Sequence, residues 1–259
     1  MTPESRDVVL GGRHAVAFEP LVRALAEVKA RLGGRRVVLV GGLAVAVRLA
    51  IPERATADVD SVVQLGRAGP GAVELLLASG PGVSRDTGHR VMVGPVAVDL
   101  IDARPSDHEE PTMLSRKDAL FLTAARFALD TATPVRVRAG AVQVDAAVAT
   151  PAGLVATKLH AVLFRSEEAK RATDAFDLHR LLSQHDVGGA VAALLARVRG
   201  GLPELVAWAG AVVFEERLAE YARLMRASGD PVIGSVAEVD LRAVGEAFLA
   251  VLRAEADAP

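Results

Sequence analysis

Between Phe18 and Leu32 the apolar residues Phe18, Leu21, Val22, Leu25, Val28 and Leu32 recur at helical spacing, and Gly33-Gly34 supplies a stop. The pattern predicts an amphipathic helix. Arg36-Val37-Val38-Leu39-Val40 then reads as a short β-branched strand that ends at Gly41-Gly42, and Leu43 to Leu49 reads as a helix. Pro52 closes that helix, and Asp58 to Leu65 predicts a second strand, with Val62 and Val63 carrying the β-propensity. Gly69-Pro70-Gly71 and Gly80-Pro81-Gly82 bracket a short helix from Ala72 to Ala78. Val91 to Val93 and Val96 to Ile101, separated by Gly94-Pro95, predict a hairpin. Arg136 to Arg138 and Val142 to Asp145, around Ala139-Gly140-Ala141, predict another. Ser115 to Thr133 stays open between helix and strand, because its alanines favour the first while Phe121 and Phe127 suit either.

Beyond Thr150 the period is helical throughout. Thr150 can cap a helix with Pro151 in its first turn, and Leu154, Leu159, Val162 and Leu163 form its apolar face. Further helical patterns cover Ala172 to Ser183, Ala190 to Val198, Pro203 to Met225 and Val236 to Ala254. The chain therefore predicts an α+β class: a small mixed β-sheet core with flanking helices over residues 1–149, and a helical C-terminal module over 150–259.

Aromatic residues make up only 3% of a chain that is 51% hydrophobic, so its interior must be packed mainly by Ala, Val and Leu. Apolar runs such as Val37 to Val47 are broken well short of the ~20 residues a membrane span needs, and the N-terminus has no signal-peptide pattern. No membrane partner is expected. The absence of cysteine excludes disulfides and thiolate metal sites, which fits a cytoplasmic location without requiring one. A net charge of −2 supplies no overall field for a polyanion, so an RNA contact would need a local basic patch.

Asp58 and Asp60 stand two apart on a predicted strand, so they share a face with roughly 6.5 Å between their Cα atoms. That spacing suits one divalent cation, and magnesium (or manganese) fits because it takes one or two carboxylates and completes its shell with water and phosphate. An Asp-x-Asp on the solvated side of an edge strand would look the same. Gly41-Gly42, between a buried strand and a helix start, lets backbone N–H groups approach a phosphate, although an ordinary tight turn also uses glycine. Asp99 lies amid Val96-Ala97-Val98 and Leu100-Ile101, where a carboxylate needs a partner or a cation unless it faces water. If its strand neighbours Asp58 to Leu65, three carboxylates converge.

Gly41-Gly42 followed by Arg54-Ala55-Thr56-Ala57-Asp58-Val59-Asp60 resembles the nucleotidyltransferase (polymerase β-like) superfamily, in particular the AbiEii-type toxin group with its Arg-x-Thr-x-Asp-x-Asp segment. Ala156-Thr157-Lys158-Leu159-His160-Ala161 through Arg165, and Asp174-Ala175-Phe176-Asp177-Leu178, resemble that group's Lys-Leu-x-Ala and Asp-x-x-Asp-Leu helices. The interval from Gly42 to Asp58 is at the long end, and Thr173 stands where the group commonly has a basic residue.

The resemblance implies a small mixed sheet carrying three aspartates, with the helical module closing the active-site cleft. It also implies transfer of a nucleotide from a nucleoside triphosphate to an acceptor hydroxyl. Asp58, Asp60 and Asp99 would hold metal, with Asp99 helping to hold a second ion or taking the proton. Gly41, Gly42, Arg54 and Thr56 would line the nucleotide. Lys158 would meet the β- and γ-phosphates, although its stem could instead cover apolar surface. Asp174 and Asp177, three apart on one helix face, would orient Lys158 or the acceptor; an acid-rich helix N-terminus is the plainer account. The toxin resemblance implies RNA as acceptor, in the first place the 3′ end of tRNA, and a cognate antitoxin. A small molecule such as an aminoglycoside, or a protein hydroxyl, is the alternative acceptor, and a catalytically idle binding homologue the alternative class. His160 and His179 are expected to pack rather than ligate. Arg165, Lys170, Arg171 and Arg180 cluster around these helices and could bind an RNA backbone, while Arg217, Arg223 and Arg226 suggest a solvated helix face.

Overall fold

The computed structural model describes residues 6–49, 54, 56–104 and 114–256, which divide into two compact units. The first comprises residues up to 111 together with 125–150; the second comprises 112–124 and everything from 151 on.

The first unit is built on a mixed sheet of eight strands among the described residues. In chain order these are β1 (Arg6–Val9), β2 (Val37–Val40), β3 (Asp58–Gln64), β4 (Val83–Arg85), β5 (Arg90–Val93), β6 (Val96–Ala103), β7 (Thr133–Ala139) and β8 (Val142–Val148). Their spatial order is β1-β7-β8-β2-β3-β6-β5-β4. Every residue of β2 is buried, which explains its unbroken Val/Leu run in place of an alternation. Helix α1 (Ala15–Arg31) packs across β7 and β8, burying Phe18, Leu21, Val22, Leu25 and Val28, each worth about 2 kcal/mol of transfer free energy. Helix α2 (Gly41–Leu49) follows β2 without a loop, and α3 (Ala72–Ala78) takes its place on the path from β3 to the β4–β5 hairpin.

Pairing decides the site. β3 and β6 run parallel with Asp60 opposite Asp99, and β2 runs antiparallel to β3 with Val40 opposite Asp60. The β5–β6 turn at Gly94, with φ of +55°, brings Arg90 opposite Asp99.

Strand β1 carries no turn signal or alternation strong enough to predict it; its parallel pairing with β7 forms it. The open stretch resolves as helix α4 (Arg116–Thr131). Ser115 decides the question: its hydroxyl accepts from the Asp118 N–H at 3.2 Å and donates to the Asp118 carboxylate at 2.6 Å, an N-terminal cap that fixes the first turn.

The second unit is helical: the start of α4, then α5 (Pro151–Phe164), α6 (Glu168–His185), α7 (Ala190–Ala196), α8 (Leu202–Ala211), α9 (Leu218–Ala227), α10 (Pro231–Gly234) and α11 (Glu238–Ala256). α6 starts four residues before the predicted Ala172. The single helix predicted from Pro203 to Met225 is instead interrupted by a π-helical turn, Val212–Glu216, closed by the Arg217 N–H on the Val212 carbonyl at 2.9 Å. That wider turn carries Phe214 onto Gly245 of α11, where a Cβ would sit 2.4 Å from the ring. Among the described residues no helix is long and apolar enough to cross a membrane.

Candidate active site

Asp60 lies against the start of α2. Gly41 has φ of +66°, and a Cβ there would fall 1.9 Å from Asp60 Oδ2. Glycine is therefore demanded twice, by the left-handed backbone and by the aspartate that closes over it. At Gly42 a Cβ would stand 2.7 Å from Thr56 Oγ1 and 3.2 Å from Arg54 Nη2. The sequence pattern suggested that these glycines make room for a ligand. The fold shows that they first make room for Asp60, Thr56 and Arg54, and in doing so gather those groups at the helix start. Thr56 Oγ1 donates to Asp58 Oδ1 at 3.2 Å, which turns that carboxylate toward the same place.

Asp58, Asp60 and Asp99 each offer a carboxylate oxygen within 4.8 Å of the other two, and all three are half-buried. The alternation of β3 explains the arrangement: Val59 and Ser61 point into the core, and Asp58 and Asp60 point to the other face. On β6, Val98 and Leu100 are buried and Asp99 faces the same way as Asp60. The predicted need of Asp99 for a partner is met by Arg90, whose Nε and Nη2 donate to Asp99 Oδ1 and Oδ2, both at 2.6 Å. Arg90 Nη2 also stands 3.6 Å from Asp58 Oδ2. The Asp99 hydrogen bonds, and after them its charge and those of Asp58 and Asp60, hold the guanidinium in its charged form. Nothing local in the sequence marks Arg90; only its register with Asp99 does.

In the helical unit Lys158 is 4% exposed. Its Nζ lies 2.5 Å from Asp174 Oδ1 and 2.7 Å from Asp177 Oδ2. Arg165 Nε approaches Asp174 Oδ2 at 3.2 Å. The plainer accounts of these residues fail for definite reasons. The Lys158 head does not reach water, and Asp174 and Asp177 stand in the body of α6, whose first turn carries Glu168. The Thr173 hydroxyl donates back to the Ala169 carbonyl at 2.9 Å.

His160 is packed between Phe121 and Phe164, with centroids 5.1 Å away on each side. Burial, and then the charge of Lys117, lower its pKa to about 4, so it is a neutral packing residue. His179 is shifted down for the same first reason. The basic group around α6 is largely occupied by acids: Arg165 by Asp174, Lys170 by Glu167 at 3.3 Å, and Arg171 by Glu220. Arg217 departs from the predicted solvated face, pairing with Glu220 at 2.8 Å and lying over the Tyr221 ring.

The sheet unit thus brings together Gly41, Gly42, Arg54, Thr56, Asp58, Asp60 and Asp99, and the helical unit brings together Lys158, Asp174 and Asp177. A mixed sheet that presents an Asp-x-Asp strand and a third aspartate beside a glycine-led helix is an α+β nucleotidyltransferase-like fold. The family model described as "Nucleotidyl transferase AbiEii toxin, Type IV TA system" matches residues 23–238, and the chain belongs to that family. No curated protein matches the chain in sequence. Family membership makes nucleotidyl transfer the chemistry of this fold and a toxin–antitoxin system its setting.

Proposed function

We propose that the protein is a metal-dependent nucleotidyltransferase that moves a nucleoside monophosphate from a nucleoside triphosphate to an acceptor hydroxyl, with RNA, and in the first place the 3′ end of tRNA, as acceptor. The observation that carries the proposal is the meeting of three carboxylates from β3 and β6 beside the glycine start of α2. Their donor set suits magnesium or manganese, since all the oxygens are hard and such ions take one or two carboxylates and complete their shell with water and phosphate. When bound, such an ion supplies Lewis-acid charge to the triphosphate.

The acceptor oxygen forms a bond to the α-phosphorus, the bond from that phosphorus to the α,β-bridging oxygen breaks, and pyrophosphate leaves. Asp58 and Asp60 would hold the cation, and the hydroxyl proton passes to a carboxylate of the cluster or to water. Arg54, Thr56 and the N–H groups that open α2 are the proposed contacts of the nucleotide. Lys158 is the proposed phosphate-binding cation of the helical unit, oriented by Asp174 and Asp177. A cognate antitoxin and a cytoplasmic location, where nucleoside triphosphates and tRNA are at hand, complete the proposal.

Purified protein incubated with each labelled nucleoside triphosphate, Mg²⁺ or Mn²⁺, and total tRNA tests it. Label on tRNA is expected. Label confined to small molecules or to protein would replace the acceptor, and no transfer under any metal, with Asp60→Ala indistinguishable from wild type, would leave only a binding homologue.

A further inference from the structure

Val40, Asp60, Asp99 and Arg90 form one transverse row across four neighbouring strands, each residue directly opposite the next in register. The row places a guanidinium inside the carboxylate cluster by strand pairing rather than by a flexible loop. Both oxygens of Asp99 accept from it, in the planar fork geometry that an arginine and a carboxylate share. The pair is sheltered, with side-chain exposures of 24% for Arg90 and 14% for Asp99, so its attraction is little screened. His89 Nε2 stands a further 3.9 Å from Asp99 Oδ1.

The charges give this pairing a consequence. Arg90 offsets one of the three carboxylate charges, and it does so at Asp99, through both of its oxygens. A second divalent ion at Asp99 would have to displace the fork, or share its two oxygens with a cation already 2.6 Å from each. We infer that Arg90 is the second positive charge of this centre, so that the chain takes one divalent cation, on Asp58 and Asp60, while Asp99 is a positioning residue that fixes the guanidinium. The inference rests on the proposal that the cluster binds metal, and it differs from the two-ion expectation in what it assigns to Asp99. Arginine keeps its charge at any pH at which the protein is folded, so the substitution for a metal ion is permanent.

Counting manganese tests it without recourse to activity. The full chain, saturated with a nucleoside triphosphate analogue whose α,β-bridge is methylene, is titrated with Mn²⁺ and the free ion is followed by electron paramagnetic resonance. Wild type is expected to hold one ion per complex and Arg90→Gln two. Arg90→Gln combined with Asp99→Asn should return to one, which places the gained ion on Asp99. Arg90→Met, which keeps the apolar stem, repeats the gain if the glutamine variant folds poorly. Two ions on wild type, or no gain in either Arg90 variant, would overturn the inference while leaving the metal site standing. No ion on wild type at all would overturn the metal-site proposal beneath it.

Discussion

The carboxylate cluster of the sheet unit and the Lys158 cluster of the helical unit use the same residue types and reach opposite electrostatic states. In the helical unit, Asp174 and Asp177 are balanced by Lys158 and Arg165, and the lysine and both aspartates are almost wholly buried. In the sheet unit three half-buried aspartates stand around Arg90, which bonds Asp99 and lies 3.6 Å from Asp58, so these four groups carry more negative than positive charge. A balanced, buried cluster can be a finished part of the core, whereas carboxylates held within 4.8 Å of one another repel, a cost that a bound cation relieves. The contrast is between charges already matched within a buried cluster and carboxylates that a cation can still reach.

The largest expected effect tests the surplus side. Asp60→Ala should lower nucleotide transfer by roughly 10³-fold or more, the equivalent of several kcal/mol of charge stabilisation, while its thermal midpoint in metal-free buffer stays level or rises. A fall in both together would make Asp60 a structural residue and erase the contrast. On the balanced side, Lys158→Ala should cost about 3–5 kcal/mol in urea unfolding, because it removes the ammonium that two buried carboxylates share. Replacing Lys158, Asp174 and Asp177 together by Met, Leu and Leu should restore most of that stability. Failure to do so would show that the cluster contributes more than balanced burial.

Gly41→Ala should cost about 1–2 kcal/mol for the left-handed backbone, and it should also reduce transfer, since the new methyl displaces the Asp60 carboxylate. Gly94→Ala, also at positive φ but with open space for a Cβ, should share the stability cost and spare transfer.

The smallest effect concerns His160. Its folded pKa of about 4 lies below the unfolded value, so the folded state binds fewer protons and stability falls as the pH drops from 6.5 toward 4. The loss between pH 7 and 5.5 should be about 1 kcal/mol, and His160→Phe, a ring suited to the space between Phe121 and Phe164, should abolish it. An unchanged pH dependence in that variant would move the effect to His179 or to another group.

Much of the fold was legible because periodicity reports local burial. The α1 stripe, the β2 run and the Gly94 and Gly140 hairpins follow from which residues can face a core. Ser115 and Asp118 carried a cap signal that settles α4. β1 was not legible, since its strand character comes from pairing with β7, more than a hundred residues away. Nor was the break at Val212–Glu216, which depends on Phe214 meeting Gly245.

The same division runs through the site. By itself the sequence determined that Asp58 and Asp60 share a face, that glycines end β2, and that Asp99 needs a partner or a cation unless it faces water, because strand alternation and the cost of burying a carboxylate act over a few residues. It did not determine that Asp60, Asp99 and Arg90 stand in one row, that Gly41 exists to admit Asp60, or that Lys158 is enclosed by Asp174 and Asp177 rather than turned to water. Those were decided by strand register and helix packing, which bring distant residues to contact distance and so set how much charge each cluster leaves unbalanced.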